Sequence, residues 1–325
     1  MAKVTMVEAI TLAMAYELEH DPSVVVLGED VGVNGGVFRA TAGLQQRFGK
    51  ERVMDTPLAE ALIAGMSIGM AAQGMKPVAE IQFSGFIYPT VDQMINHAGR
   101  LRTRTRGRLH VPMVLRAPSG GGIHAPEHHS ESNEALFAHM PGIRTLMPSS
   151  PARAYGLLLA AIRDPDPVVF LEPTRLYRLN KQEVEDNGEA LPLDTCFVLR
   201  EGEDVTLVSW GAMLHETLQA AAKLAEEGAS CEVIDLASVS PIDFETILES
   251  VEKTGRLAII HEAPKNCGVG AEIAATVAEK AIYSLKAPIE RVTGYDIPMP
   301  LFKLEHDYIP GMERVIQGIR KVLEA

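Results

Sequence analysis

The chain has 325 residues, 46% hydrophobic and 22% charged, with a formal charge of −13. These values are close to globular averages, the length favours two domains with separate cores, and the acidic balance opposes nucleic-acid binding. No stretch approaches the roughly 18 consecutive apolar residues of a membrane span. Cys196, Cys231 and Cys267 are odd in number, far apart and never in a C-x-x-C pair, so neither a disulfide framework nor a zinc or iron–sulfur cluster is suggested. Met1 to Met6 carries no secretory or transit pattern, so a cytoplasmic, bacterial-type or already processed protein is expected.

Thr5-Met6-Val7-Glu8 is a capping box, and Ala9, Ile10, Ala13, Met14 and Leu18 continue at helical spacing until Asp21-Pro22. Val24 to Leu27 is an all-apolar run, as in a strand buried on both faces, and Gly28-Glu29-Asp30 places acids at its carboxyl end, where parallel sheets hold ligands. Thr56-Pro57 reads as a cap with proline in the first turn, so Glu60 lies in the opening turn of a helix running to Gly74. Ala61, Ala64, Gly65, Ser67, Gly69, Ala71 and Ala72 let that helix approach another backbone on several sides, so it is expected to be buried, between subunits in one reading.

Strands are then predicted from Pro77 to Phe83, Val111 to Arg116, Gly142 to Met147 and Pro167 to Leu171. Helices are predicted from about Thr90 to Arg100 and from Ser150-Pro151. Arg100 to Arg108 holds five arginines, read as a solvated helix end or a subunit contact. The chain turns polar after Arg178, and a linker is placed at 186–204 between domains spanning 1–185 and 205–325. Beyond it, strand and helix alternate: Val205 to Trp210, His215 to Glu227, Ser230 to Leu236, Asp243 to Thr254, Arg256 to His261, Gly268 to Leu285 and Ile289 to Thr293. The fold class is therefore α/β with two doubly wound domains.

Neither G-x-x-x-x-G-K-[ST] nor a well-placed G-x-G-x-x-G occurs, which disfavours those nucleotide enzymes. Gly120-Gly121-Gly122 reads either as an anion wrap or as a tight loop. His124-Ala125-Pro126-Glu127-His128-His129-Ser130-Glu131 lacks metal-motif spacing, leaving a polar loop or a catalytic histidine. Glu60 either satisfies helix amides or, among Leu58, Ala59, Ala61, Leu62 and Ile63, is desolvated toward a pKa suited to proton transfer.

Asp55-Thr56-Pro57-Leu58-Ala59-Glu60, Glu80-Ile81-Gln82-Phe83, Pro148-Ser149-Ser150-Pro151 and Ile162-Arg163-Asp164-Pro165-Asp166-Pro167 together resemble the beta subunits of 2-oxo acid dehydrogenases. The resemblance continues through Ser209-Trp210-Gly211-Ala212 and Lys253-Thr254-Gly255-Arg256. It implies a transketolase-like pyrimidine-binding domain followed by a transketolase C-terminal-like domain, with thiamine diphosphate as cofactor. Glu60 then corresponds to the glutamate that hydrogen-bonds the aminopyrimidine and drives its imino tautomer. Glu29, Leu58, Gln82 and Phe86 match other cofactor contacts, with Phe86 packing on the pyrimidine. His129 matches a histidine that assists acyl transfer to lipoamide, although Glu131 stands where the family often has glutamine. A structural potassium ion held by backbone carbonyls would fall at Met113, Ala161, Ile162, Asp164 and Asp166.

The diphosphate of such enzymes is anchored by magnesium on a Gly-Asp-Gly motif, and this sequence has none. The resemblance therefore implies magnesium held by an alpha subunit, an active site shared in an alpha-two beta-two heterotetramer, and a dihydrolipoyl acyltransferase as acyl acceptor. The substrate is expected to be a 2-oxo acid. Phe86 and Pro298-Met299-Pro300 favour pyruvate, whereas Glu80-Ile81-Gln82-Phe83 and Glu134-Ala135-Leu136-Phe137-Ala138-His139 resemble branched-chain enzymes. Two other readings are a non-catalytic scaffold and a complete single-chain enzyme.

Overall fold

The computed structural model describes residues 2–325. The capping box forms as the sequence predicts: Thr5 N donates to Glu8 Oε2 at 2.7 Å, and helix Met6–His20 follows. Seven strands make the first sheet, in the order Ser238–Ser240, Arg144–Leu146, Val168–Pro173, Val114–Ser119, Lys76–Glu80, Val24–Gly28, Val53–Asp55. All pairings are parallel except that of Ser238–Ser240. Alternate residues of one strand feed opposite cores: Val25 and Leu27 pack in one, Val24 and Val26 in the other. That two-sided burial is why the strand is a continuous apolar run.

The second sheet has five strands, Glu290–Gly294, Leu257–Pro264, Val205–Ser209, Cys231–Asp235 and the antiparallel edge Phe197–Arg200. Two boundary expectations shift. Phe197–Arg200 lies inside the stretch read as linker, so the second sheet begins before Val205. Ser238–Ser240 belongs by sequence to the second half yet pairs with Arg144–Leu146 of the first. The apolar cluster containing Leu27, Ile81 and Leu115 also continues into Trp210, Leu236 and Ile259, so the two halves share a core.

Four further elements differ from expectation. The predicted strand to Phe83 ends at Glu80, which frees Gln82 and Phe86 for a loop, and the next strand runs Val114–Ser119. Helix Glu60–Ala72 starts at Glu60 after Ala59; Thr56 makes no cap and Pro57 precedes the helix. That helix buries Ile63, Ala64, Ser67, Ile68 and Ala71 within the chain, while Ala61, Leu62 and Gly69 are exposed on its other side. The helix predicted to end near Arg100 continues through Gly99–Arg104, and Arg102 of the arginine run pairs with Asp166. No helix is long and apolar enough to cross a membrane among the described residues.

Within the sheet, Arg116 is 1% exposed and bridges two acids. Its Nε and Nη2 donate to Glu172 at 2.6 and 2.7 Å and its Nη1 to Glu80, while Tyr177 donates to Glu172. Burial pushes the Glu80 carboxyl up, with the Arg116 charge opposing and the Glu172 charge adding. Between the halves, Asp235 accepts from the Ser149 hydroxyl and lies 3.8 Å from Arg153 Nε. Burial pushes the Asp235 carboxyl up to about 6, the Ser149 hydrogen bond and the Arg153 charge recovering part of the shift. A raised folded pKa favours the protonated form, so its stability contribution is full below 3.8 and is lost as pH rises through about 6. Asp235→Asn should flatten that part of the stability–pH curve and raise stability near neutrality, as read from denaturant midpoints of both proteins across the range.

Candidate active site

Four neighbouring strands of the first sheet deliver the predicted site residues from their carboxyl ends. Val24–Gly28 is followed by Glu29, Val53–Asp55 by Leu58 and Glu60, Lys76–Glu80 by Gln82 and Phe86, and Val114–Ser119 by the loop to His129. Close packing explains Gly28, because a Cβ there would sit 2.7 Å from the Glu80 carbonyl oxygen. Asp55 accepts from Gly32 N at 2.6 Å and Val33 N at 3.2 Å, holding the loop after Glu29 beside the start of the Glu60 helix. Burial pushes the Glu29 carboxyl up, and the charges of Asp30 and Glu60 add to it, so Glu29 and Glu60 share one region.

Glu60 is half-buried, but Leu58 beside it is 72% and Leu62 is 49% exposed. The apolar enclosure expected around Glu60 is therefore absent within this chain.

The other wall is aromatic. His129 packs edge-on against Phe83 with centroids 4.2 Å apart and against Phe86 at 5.1 Å, and Phe86 also meets His128 at 5.3 Å. Gly85 permits this contact, since a Cβ there would fall 1.7 Å from the His128 carbonyl oxygen. The loop ends are tied by Ser84 Oγ donating to the Glu131 carbonyl and Asn133 Nδ2 to the Ser84 carbonyl, each at 2.9 Å. His129 Nδ1 is buried and has no hydrogen-bond partner among the described residues.

Glu131 does not serve His129: its carboxylate accepts from the Tyr88 hydroxyl at 3.2 Å. Burial, the Glu131 charge and that hydrogen bond push the Tyr88 phenol up to about 12. No sequence signal marks Tyr88, because its contact with Glu131 joins residues far apart along the chain.

The glycine triplet wraps anions, and they are the protein's own. Gly121 N donates to Glu262 Oε1 and Gly122 N to Glu305 Oε1, both at 2.6 Å. Neither glutamate has a sequence signal, because the contacts span the two halves of the chain. His124 meets His306 rather than its neighbours, with Nε2 atoms 3.3 Å apart. No group of three or more His, Cys, Asp or Glu side chains is placed to hold a metal ion among the described residues. A cavity of about 400 Å³ opens beside this loop between Ser130, Glu131 and Ser132 and the segment Asp296 to Met299.

The positions matched to a potassium ion fit it in part. Ala161 and Ile162 lie in the last turn of helix Pro151–Arg163, where carbonyls lack intrahelical partners and carry the negative helix end. The Met113 carbonyl, however, accepts from Val168 N at 2.9 Å, while the pairs of Arg144 with Asp164 and Arg102 with Asp166 engage side chains and not their carbonyls.

The family described as "Transketolase, pyrimidine binding domain" matches residues 2–180, and "Transketolase, C-terminal domain" matches 194–315. A curated relative from Acholeplasma laidlawii, "Pyruvate dehydrogenase E1 component subunit beta", is 51% identical over 100% of this chain and 99% of its own. Proteins of the same name from Bacillus subtilis and Staphylococcus aureus are 49% and 44% identical, each over 100% of both chains. The chain belongs to the family of pyruvate dehydrogenase beta subunits. That family is thiamine-dependent, and the recognition of a 2-oxo acid dehydrogenase beta subunit holds. A solved structure, "Split gene transketolase, inactive beta4 tetramer", superposes with a TM-score of 0.82 over 99% of both chains at 22% identity, which bears on the fold alone.

Glu29 and Glu60 thus follow one pair of adjacent strands, and the Phe83, Phe86 and His129 cluster follows the next pair, at the same edge of the sheet. With Glu131 engaged by Tyr88, Glu131→Gln should leave acyl transfer by a reconstituted enzyme within about two-fold of the parent, checked by lipoyl-acylation kinetics.

Proposed function

We propose that this chain is the beta half of an acetyl-transferring pyruvate dehydrogenase, acting on pyruvate and passing the acyl group to lipoyl groups of a dihydrolipoyl acyltransferase. The observation carrying this reading is the convergence of Glu29, Leu58, Glu60, Phe86 and His129 at one sheet edge that is open to solvent. An exposed Leu58 beside a proton-relay carboxylate suits a site completed by an alpha subunit in an alpha-two beta-two heterotetramer. The absence of Gly-Asp-Gly from the sequence supports magnesium being held by that partner.

Thiamine diphosphate, when bound, supplies the nucleophilic carbon and the electron sink for decarboxylation. Glu60 holds and passes a proton at the pyrimidine edge, while Glu29 and Gln82 orient that ring by hydrogen bonding. Leu58 and Phe86 give it apolar contact and exclude water. His129 holds a proton where the acyl group reaches the lipoyl acceptor. Potassium at the carbonyls of Ala161 and Ile162, with Met113, Asp164 and Asp166, is a structural extension of this reading. A bacterial-type cytoplasmic setting accompanies it. Pyruvate is preferred to 2-oxoisovalerate because the relatives that match over full length carry the pyruvate name.

In the reconstituted heterotetramer, Glu60→Gln should cut turnover about 100-fold or more with assembly intact, checked by steady-state rates and gel filtration. Normal turnover in that variant would leave the chain a scaffold. The parent tetramer should use pyruvate with higher kcat/KM than 2-oxoisovalerate and lose activity when a chelator strips magnesium. Tight cofactor binding and turnover by this chain alone would instead make it a complete enzyme.

A further inference from the structure

We propose that Glu262 and Glu305, both from the carboxyl-terminal half, are positioning residues for His129 that clamp the loop carrying it. The inference rests on the reading of His129 as the residue that serves acyl transfer. Glu262 lies in strand Leu257–Pro264, and its Oε1 accepts from Gly121 N at 2.6 Å and from Ser132 Oγ at 3.4 Å. Those two donors stand on either side of His129. Glu305 accepts from Gly122 N at 2.6 Å and from His124 N at 3.1 Å. One carboxylate thus ties both ends of the loop, and the other fixes its ascending arm.

The glycines are what allow this approach. A Cβ on Gly120 would lie 2.9 Å from Glu262 Oε1, and one on Gly121 would lie 3.1 Å from Glu305 Oε1. Gly120 and Gly122 also adopt φ of +79° and +92°, which side-chain-bearing residues rarely reach. Both acids are buried, Glu305 at 1% exposure, and Arg175 approaches Glu262 only to 4.0 Å. The hydrogen-bond donors to Glu262 are therefore Gly121 N and Ser132 Oγ of the loop, beside the Arg175 charge, and a buried acid kept on such terms holds those two donors in place. Among the described residues His129 has no comparable anchor of its own. Its backbone N–H bonds within the loop to the Pro126 carbonyl, and its ring has aromatic contacts with an unpartnered Nδ1.

The clamp is tested in the reconstituted heterotetramer with thiamine diphosphate and magnesium. Two rates are compared, lipoyl acylation and pyruvate decarboxylation drained by an artificial electron acceptor. Glu262→Gln and Glu305→Gln should each lower the ratio of acylation to decarboxylation at least about ten-fold, since a displacement near 1 Å costs that or more. Amide hydrogen exchange should quicken across Gly120 to Ser132, and Glu262→Asp, which keeps the charge, should recover part of the ratio. A parent-like ratio in both glutamine variants overturns the proposal, as does an equal fall in both rates without faster loop exchange. His129→Ala run alongside separates the failures. If it leaves the ratio intact, the role of His129 falls and the positioning claim falls with it. If it lowers the ratio while both glutamine variants do not, the clamp alone fails.

Discussion

A parallel sheet buried on both faces sends every loop at its carboxyl edge out in the same direction, and this constraint governs the rest of the molecule. Residues far apart in sequence, from Glu29 to His129, become neighbours because their strands are adjacent and in parallel register. The Arg116 bridge between Glu80 and Glu172 sits in those same strands, so its compensated charges stiffen the platform from which the site loops leave.

The second half of the chain contributes none of the residues matched to cofactor contact, yet it is built into the first. It adds Ser238–Ser240 as an edge strand, joins the apolar core through Trp210 and Leu236, and offers Asp235 to Ser149. Its carboxylates Glu262 and Glu305 meet the glycine loop.

The half-open character of the site follows from the same geometry. Leu58 and Leu62 flank Glu60 on the outer side of the edge, where the chain has no further element to cover them. Exposed apolar side chains grouped in this way cost solubility unless a partner buries them. A carboxylate wet in the isolated chain and dry in the assembly would also tie proton transfer to assembly.

The α/β class and the family were legible in the sequence, because apolar runs and capping signals are local and the family motifs are contiguous. It also placed Glu60 in the opening helical turn, although Thr56 proved not to be the cap. What only the tertiary structure decided were pairings between distant segments. Phe197–Arg200 reads as polar linker because an edge strand has one open side, and its partner Cys231–Asp235 lies beyond an intervening strand and helix. The partner of Glu131 is Tyr88, and the anions within the glycine loop are Glu262 and Glu305; each depends on contacts that no spacing along the chain encodes.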